Sequence, residues 1–186
     1  MATVSSSLGS IRLNQSPQDS PLILITDGSV DTQTKTGVGA YLLATDGDSF
    51  SDASISPIET KQFENTSSTK LELQALLWAL ESISPTNRQI HIYTDSQNII
   101  GLPGRRERLT RNDYRSKSGE PIRNEQLYRD FFAAIDSLYC RFFKVRGHQP
   151  KVGKNEIDRL FTLVDRTTRN VLRQQRALNR SSVKSD

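Results

Sequence analysis

The run Pro21-Leu-Ile-Leu-Ile-Thr26 has no polar alternation, is rich in β-branched residues and stops at Asp27-Gly28-Ser29. A strand of this kind is hidden on both faces, as is the central strand of a sheet covered by helices on each side. The run Gln89-Ile-His-Ile-Tyr-Thr94 gives a further strand, ending at Asp95-Ser96. Between them Ser67–Ile83 begins with Ser/Thr capping residues, continues with strong helix formers and is stopped by Pro85. Strand, helix, strand in this order predicts a right-handed parallel crossover, and so an α/β fold.

The remaining elements follow from periodicity and turn residues. Gly37–Leu43 reads as a second strand and Ser49–Ile55 as a third, with Asp46-Gly47-Asp48 turning between them. Gln97–Leu102 can turn helical. Gly101–Pro121 carries Arg105, Arg106, Arg108, Arg111, Arg115 and Lys117 with two prolines, and reads as a basic protrusion or loop outside the core. Asn124–Ser137 has helical spacing, Tyr139–Val145 alternates as a last strand, and a Gly147-His148-Gln149-Pro150 loop leads to a final helix from about Asn155. That helix turns Ile157, Leu160, Phe161, Val164 and Val171 toward the core. Residues 1–20 read as a disordered leader, 21–178 as one domain and 179–186 as a flexible tail, a division that suits a chain of 186 residues.

Composition narrows the chemistry. No apolar run is long enough to span a bilayer and the first 20 residues lack the pattern of an export signal, so a cytoplasmic protein without a membrane partner is expected. The single cysteine, Cys140, excludes an intrachain disulfide and a cysteine-cluster metal site, which leaves oxygen ligands for any metal. Charge is unevenly spread: residues 1–100 hold 5 basic and 11 acidic side chains, residues 141–186 hold 12 and 4. An acidic front half beside a basic back half suits a cation-holding site next to a surface that attracts polyanions.

Four carboxylates interrupt the hydrophobic pattern: Asp27, Glu72, Asp95 and Asp158. Singly, three have ordinary explanations, as a turn residue, a helix cap and a group suited to a helix dipole. Glu72 differs, because it shares a helical face with Ala75, Leu76, Ala79 and Ile83, and burying an ionised carboxylate costs several kcal/mol unless something compensates. Together they form a pattern, since Asp27 and Asp95 close two parallel strands and ligands collect at the carboxyl ends of such strands. Unit charges about 4 Å apart repel by about 4 kcal/mol at an effective dielectric near 20. Clustered carboxylates therefore call for divalent cations, and an oxygen-only set favours Mg²⁺ or Mn²⁺ over zinc. Two such ions can activate a water and stabilise the leaving oxygen at a phosphodiester. His148, in its Gly/Pro loop, is a group that can assist proton transfer there, and Asp165 competes with Asp158 for the fourth place.

The ordered set Ile-Thr-Asp27-Gly-Ser, Lys-Leu-Glu72-Leu-Gln-Ala, Tyr-Thr-Asp95-Ser, Val-Arg-Gly-His148 and Asn-Glu-Ile-Asp158 resembles the type 1 ribonuclease H family, over about Leu22 to Arg169. The resemblance implies a five-stranded mixed sheet of order 3-2-1-4-5, with strand 2 antiparallel, flanked by helices. It implies a monomeric endoribonuclease that cuts the RNA strand of RNA–DNA hybrid duplexes to 3′-hydroxyl and 5′-phosphate ends. Asp27, Glu72, Asp95 and Asp158 fall on the family's metal-binding carboxylates, holding two ions, and His148 on its loop histidine. The segment Arg105, Arg106, Arg108, Arg111 and the later Asn124 look like its substrate-binding protrusion and the helix after it, a reasonable contact for phosphates.

Two departures stand out. Many relatives carry paired asparagines before the helical glutamate, where this chain has Ser68, Thr69 and Lys70, whose hydroxyls remain able to bond a ribose. The glycine-rich turn after the first strand is replaced by Val30–Thr36. Two other readings use the same surface: a noncatalytic nucleic-acid-binding module, and a nuclease of the same fold directed at DNA.

Overall fold

The computed structural model describes residues 20–45, 56–83, 86–145 and 155–182. Five strands form one sheet in the order β3-β2-β1-β4-β5: β1 is Leu22–Asp31, β2 Thr36–Thr45, β3 Glu59–Phe63, β4 Ile90–Thr94 and β5 Cys140–Lys144. β1 pairs antiparallel with β2 and parallel with β4, and β4 pairs parallel with β5. The helices are α1 (Ser68–Ser82), α2 (Gln97–Gly101), α3 (Arg106–Arg111), α4 (Glu125–Ser137) and α5 (Glu156–Ser182), with a 3-10 turn at Pro103–Arg105.

Alternation along β1 divides the core in two. Leu22 and Leu24 face α1 and α4 in a cluster with Leu73, Leu76, Ile90, Ile92 and Phe131. Ile23 and Ile25 face α5 in a second cluster with Leu42, Leu160, Phe161 and Val164. β1 is thus covered on both sides, as its unbroken apolar run requires. α1 lies close over the β1–β2 ladder because glycines face it there. A Cβ on Gly28 would stand 2.8 Å from Leu71 Cγ, and one on Gly39 would stand 2.8 Å from the Cβ of Ala75.

Several elements differ from the sequence reading. β1 does not stop at Asp27 but continues to Asp31, held by antiparallel pairing with β2 as far as Asp31↔Thr36. The Asp31 carboxylate then accepts from the Gln33 and Thr34 N–H groups (3.0 and 3.5 Å), closing a turn in which Lys35 takes φ +55°. The third strand is Glu59–Phe63, while the expected Ser49–Ile55 lies outside the described residues. The basic segment is a loop only in its second half. Its first half folds into the 3-10 turn and α3, and Leu102, Leu109 and Tyr114 join the core. On α5, Leu172 is buried while Val171 is only partly so, and the helix continues to Ser182.

Candidate active site

The last parallel pair between β1 and β4 is Ile25↔Tyr93. Two residues farther along each chain stand Asp27, still within β1, and Asp95, just past the end of β4, close enough for the Asp95 charge to act on Asp27. Asp27 lies mid-strand, where β1 has left β4 but still runs with β2. By alternation it shares the face of Ile23 and Ile25 and looks toward α5. Burial raises its carboxyl from the usual 3.8 to about 7, with the Asp95 charge as the next cause and the Asp165 charge a further one. Hydrogen bonds from Thr168 and the Gly28 N–H oppose the rise.

Glu72 reaches the same end of the sheet from the second turn of α1. Its Oε2 accepts a hydrogen bond from Ser96 Oγ at 2.5 Å, and Ser96 also caps α2 by accepting from the Ile99 N–H at 3.3 Å. Burial, and then the Asp95 charge, raise the Glu72 carboxyl against the lowering effect of Ser96. Asp95, itself exposed, is therefore the charge common to Asp27 and Glu72. The charges acting on the two groups are negative, Asp95 on both and Asp165 on Asp27. Its donors are all oxygens, the set suited to a hard divalent ion. Among the described residues no three His, Cys, Asp or Glu side chains stand together tightly enough to hold one ion. The fit to a metal is thus one of charge and donor chemistry.

The fourth carboxylate is where structure and spacing part. Asp158 accepts from the Asn155 N–H at 3.3 Å and its own N–H donates to Asn155 Oδ1 at 2.8 Å, a reciprocal cap on the start of α5. Leu160, Phe161 and Val164 pack against Ile23 and Ile25, so the first turns of α5 run beside the buried half of β1. The helix draws level with Asp27 two turns later, and the carboxylate it brings there is Asp165, which also pairs with Arg169 at 2.8 Å. Thr168, which the sequence reading passed over, donates to Asp27 Oδ2 at 3.0 Å. The only sequence signal for it is a polar residue on the apolar stripe of α5. His148 lies outside the described residues.

The expected nucleic-acid contacts separate into two sets. Arg105 turns inward, donating to Asn98 O and Oδ1 (2.8 and 2.5 Å) and lying over the Tyr128 ring. Arg106 makes two bonds of 2.6 Å to Asp136 and covers Phe132, so both of these arginines brace the protrusion. Arg108 and Arg111 are exposed, Arg111 with only a 3.8 Å surface pair to Glu107. Ser68 and Thr69 are exposed at the start of α1, whereas Lys70 folds back onto Asn65 O at 2.9 Å. Asn124, at φ +63°, precedes α4 without a side-chain capping bond.

Comparison with known proteins identifies the family and the fold. A family model described as RNase H matches residues 19–164. A ribonuclease H of Thermoanaerobacter sp. (strain X514) is 27% identical over 109 residues, which is 57% of this chain and 70% of that protein. One from Anaeromyxobacter sp. (strain K) is 30% identical over 92 residues, 49% of this chain and 50% of that protein. The PFV RNase H domain, solved in solution, superposes with a TM-score of 0.66 at 14% identity, covering 82% of this chain and 94% of that one. A foamy viral protease-reverse transcriptase solved with an RNA/DNA hybrid gives 0.64 at 10% identity, covering 90% of this chain and 22% of that one. At these identities the solved structures establish the fold, including its strand order.

Proposed function

The chain belongs to the RNase H family, and we propose that it is a divalent-metal-dependent endoribonuclease cutting the RNA strand of RNA–DNA hybrids to 3′-hydroxyl and 5′-phosphate ends. The observation that carries this reading is that Asp27 and Glu72, from β1 and α1, both feel the charge of Asp95 at one end of the sheet, with Glu72 tied in through Ser96. Asp27, Glu72 and Asp95 would hold Mg²⁺ or Mn²⁺, two ions in our reading. Asp165 takes the fourth place, which motif spacing gave to Asp158. When bound, such ions supply charge neutralisation and a more acidic water for in-line displacement at a phosphodiester.

The residues of the chain do the rest. The middle of β1 and the chain just past β4 carry two carboxylates, and the Ser96 bond keeps the Glu72 oxygen turned toward them. Ser68 and Thr69 offer hydroxyls to riboses, which distinguish RNA from DNA. Arg108, Arg111 and Asn124 would meet the duplex backbone, and His148 would move a proton as product leaves. The protein is expected to act as a monomer.

The test is hydrolysis of a labelled hybrid in Mg²⁺ or Mn²⁺, against single-stranded RNA, double-stranded RNA and double-stranded DNA, with Asp95→Asn alongside. Cutting of the hybrid's RNA strand alone, lost in Asp95→Asn, is expected. Binding without cutting at any metal concentration, or preference for DNA, would overturn the reading.

A further inference from the structure

α5 carries three threonines, and two behave as helical threonines ordinarily do. Thr162 and Thr167 donate to the carbonyls four residues back, Asp158 O at 2.7 Å and Leu163 O at 2.9 Å. Thr168 is different. It occupies the stripe of Phe161, Val164 and Leu172 and is 0% exposed, at a place where packing alone would favour an apolar side chain. Its Oγ1 has one proton and two acceptors within reach, Asp165 O at 2.9 Å and Asp27 Oδ2 at 3.0 Å. When Asp27 is ionised, its carboxylate is the stronger acceptor and the proton is directed to it.

We infer that Thr168 is a positioning residue for Asp27, holding Oδ2 on the α5 side so that Oδ1 is left for metal and substrate. This rests on the ribonuclease reading above. The hydroxyl can do this because α5 is fixed on both sides of it. Leu160, Phe161 and Val164 anchor the helix to the sheet before it. Two turns after it, Arg176 Nε grips Asp31 Oδ2 at 2.6 Å, at the far end of the same strand that carries Asp27. A ligand's orientation depends on such outer partners as much as on its own backbone.

The experiment compares the full chain with Thr168→Val, which keeps the volume and removes the hydroxyl, and Thr168→Ser, which keeps the hydroxyl. Mg²⁺ affinity is read by calorimetry on the protein alone, kcat and KM on the hybrid, and folding by thermal melts. Thr168→Val is expected to lower Mg²⁺ affinity or kcat by about 10–100-fold, the usual effect of removing an outer-shell partner, with KM for the hybrid little changed and Thr168→Ser restoring most of the loss. If Thr168→Val does not stay folded, the Thr168→Ala and Thr168→Ser pair gives the same contrast. Wild-type values in Thr168→Val, or equal losses in the hydroxyl-free and Ser variants, overturn the inference and reduce Thr168 to packing. A wild-type protein that neither binds Mg²⁺ nor cuts the hybrid overturns instead the reading on which it rests.

Discussion

The carboxylate cluster should make the metal-free protein less stable as pH rises, and Asp27→Asn should remove most of that penalty. The Asp27 carboxyl lies at about 7 in the folded protein against 3.8 ordinarily, chiefly through burial and then the Asp95 charge. Between those values the folded state holds a proton that the unfolded state has released, so stability falls with pH across that window. The penalty is absent below about pH 4 and fully developed above about pH 7. At 1.36 kcal/mol per unit, a rise of about three units gives a penalty of roughly 4 kcal/mol as an upper bound. For a domain of this size that corresponds to a melting shift of roughly 10 °C. Asn has nearly the shape of Asp, its oxygen can still accept from Thr168, and it carries no charge to repel Asp95. Urea and thermal unfolding in EDTA at pH 4 and pH 8 measure the effect. The variant should match wild type at pH 4 and exceed it at pH 8, and saturating Mg²⁺ should narrow or reverse the gap by stabilising wild type preferentially. Equal stability differences at both pH values would refute the reasoning, because they would mean that Asp27 titrates alike in the folded and unfolded chain.

Three other substitutions separate roles that charge alone leaves mixed. Asp165→Asn should abolish hybrid cleavage with little change in melting temperature, whereas Asp158→Asn should keep most activity and cost about 1 kcal/mol or less in unfolding free energy, as expected for a cap; the reverse pattern would return Asp158 to the site. Arg106→Ala should lower the melting temperature by losing Asp136 and the Phe132 ring. Arg108→Ala and Arg111→Ala should leave melting unchanged, and each should reduce the slope of log affinity against log salt by about 1 if it meets one phosphate. Gly39→Ala places a Cβ 2.8 Å from that of Ala75, which cannot rotate away. Pushing α1 off the sheet should cost about 1–3 kcal/mol, and the shift of Glu72 should lower kcat. Wild-type unfolding and kcat would show that the helix yields freely.

Much of the fold was legible because burial on two faces leaves an unbroken apolar run, and both strands that end in this way, β1 and β4, carry an aspartate at the site. Glu72 was legible for the complementary reason, as a charge on a face that ought to be apolar. β3 was not, since Glu59–Gln62 are exposed at the sheet edge and carry no alternation to read. Nor was the second half of β1, where all of Asp27–Asp31 but Val30 are polar or glycine and β2 supplies the ladder. Composition marked Arg105 and Arg106 as cations without showing that Asn98, Asp136 and two aromatic rings already engage them.

The sequence by itself determined which chemistry is available: oxygen ligands only, carried on one strand, just past another and on two helices. Tertiary structure alone decided which carboxylate of α5 acts on Asp27, and it is Asp165. Asp158 and Asp165 lie seven residues apart, two turns and about 10 Å along the same flank of the helix, so helical periodicity treats them alike. What distinguishes them is how far α5 has slid along β1 before its apolar stripe seats on Ile23 and Ile25. That offset is set by the packing of two elements remote in the chain, and neither of their local patterns records it.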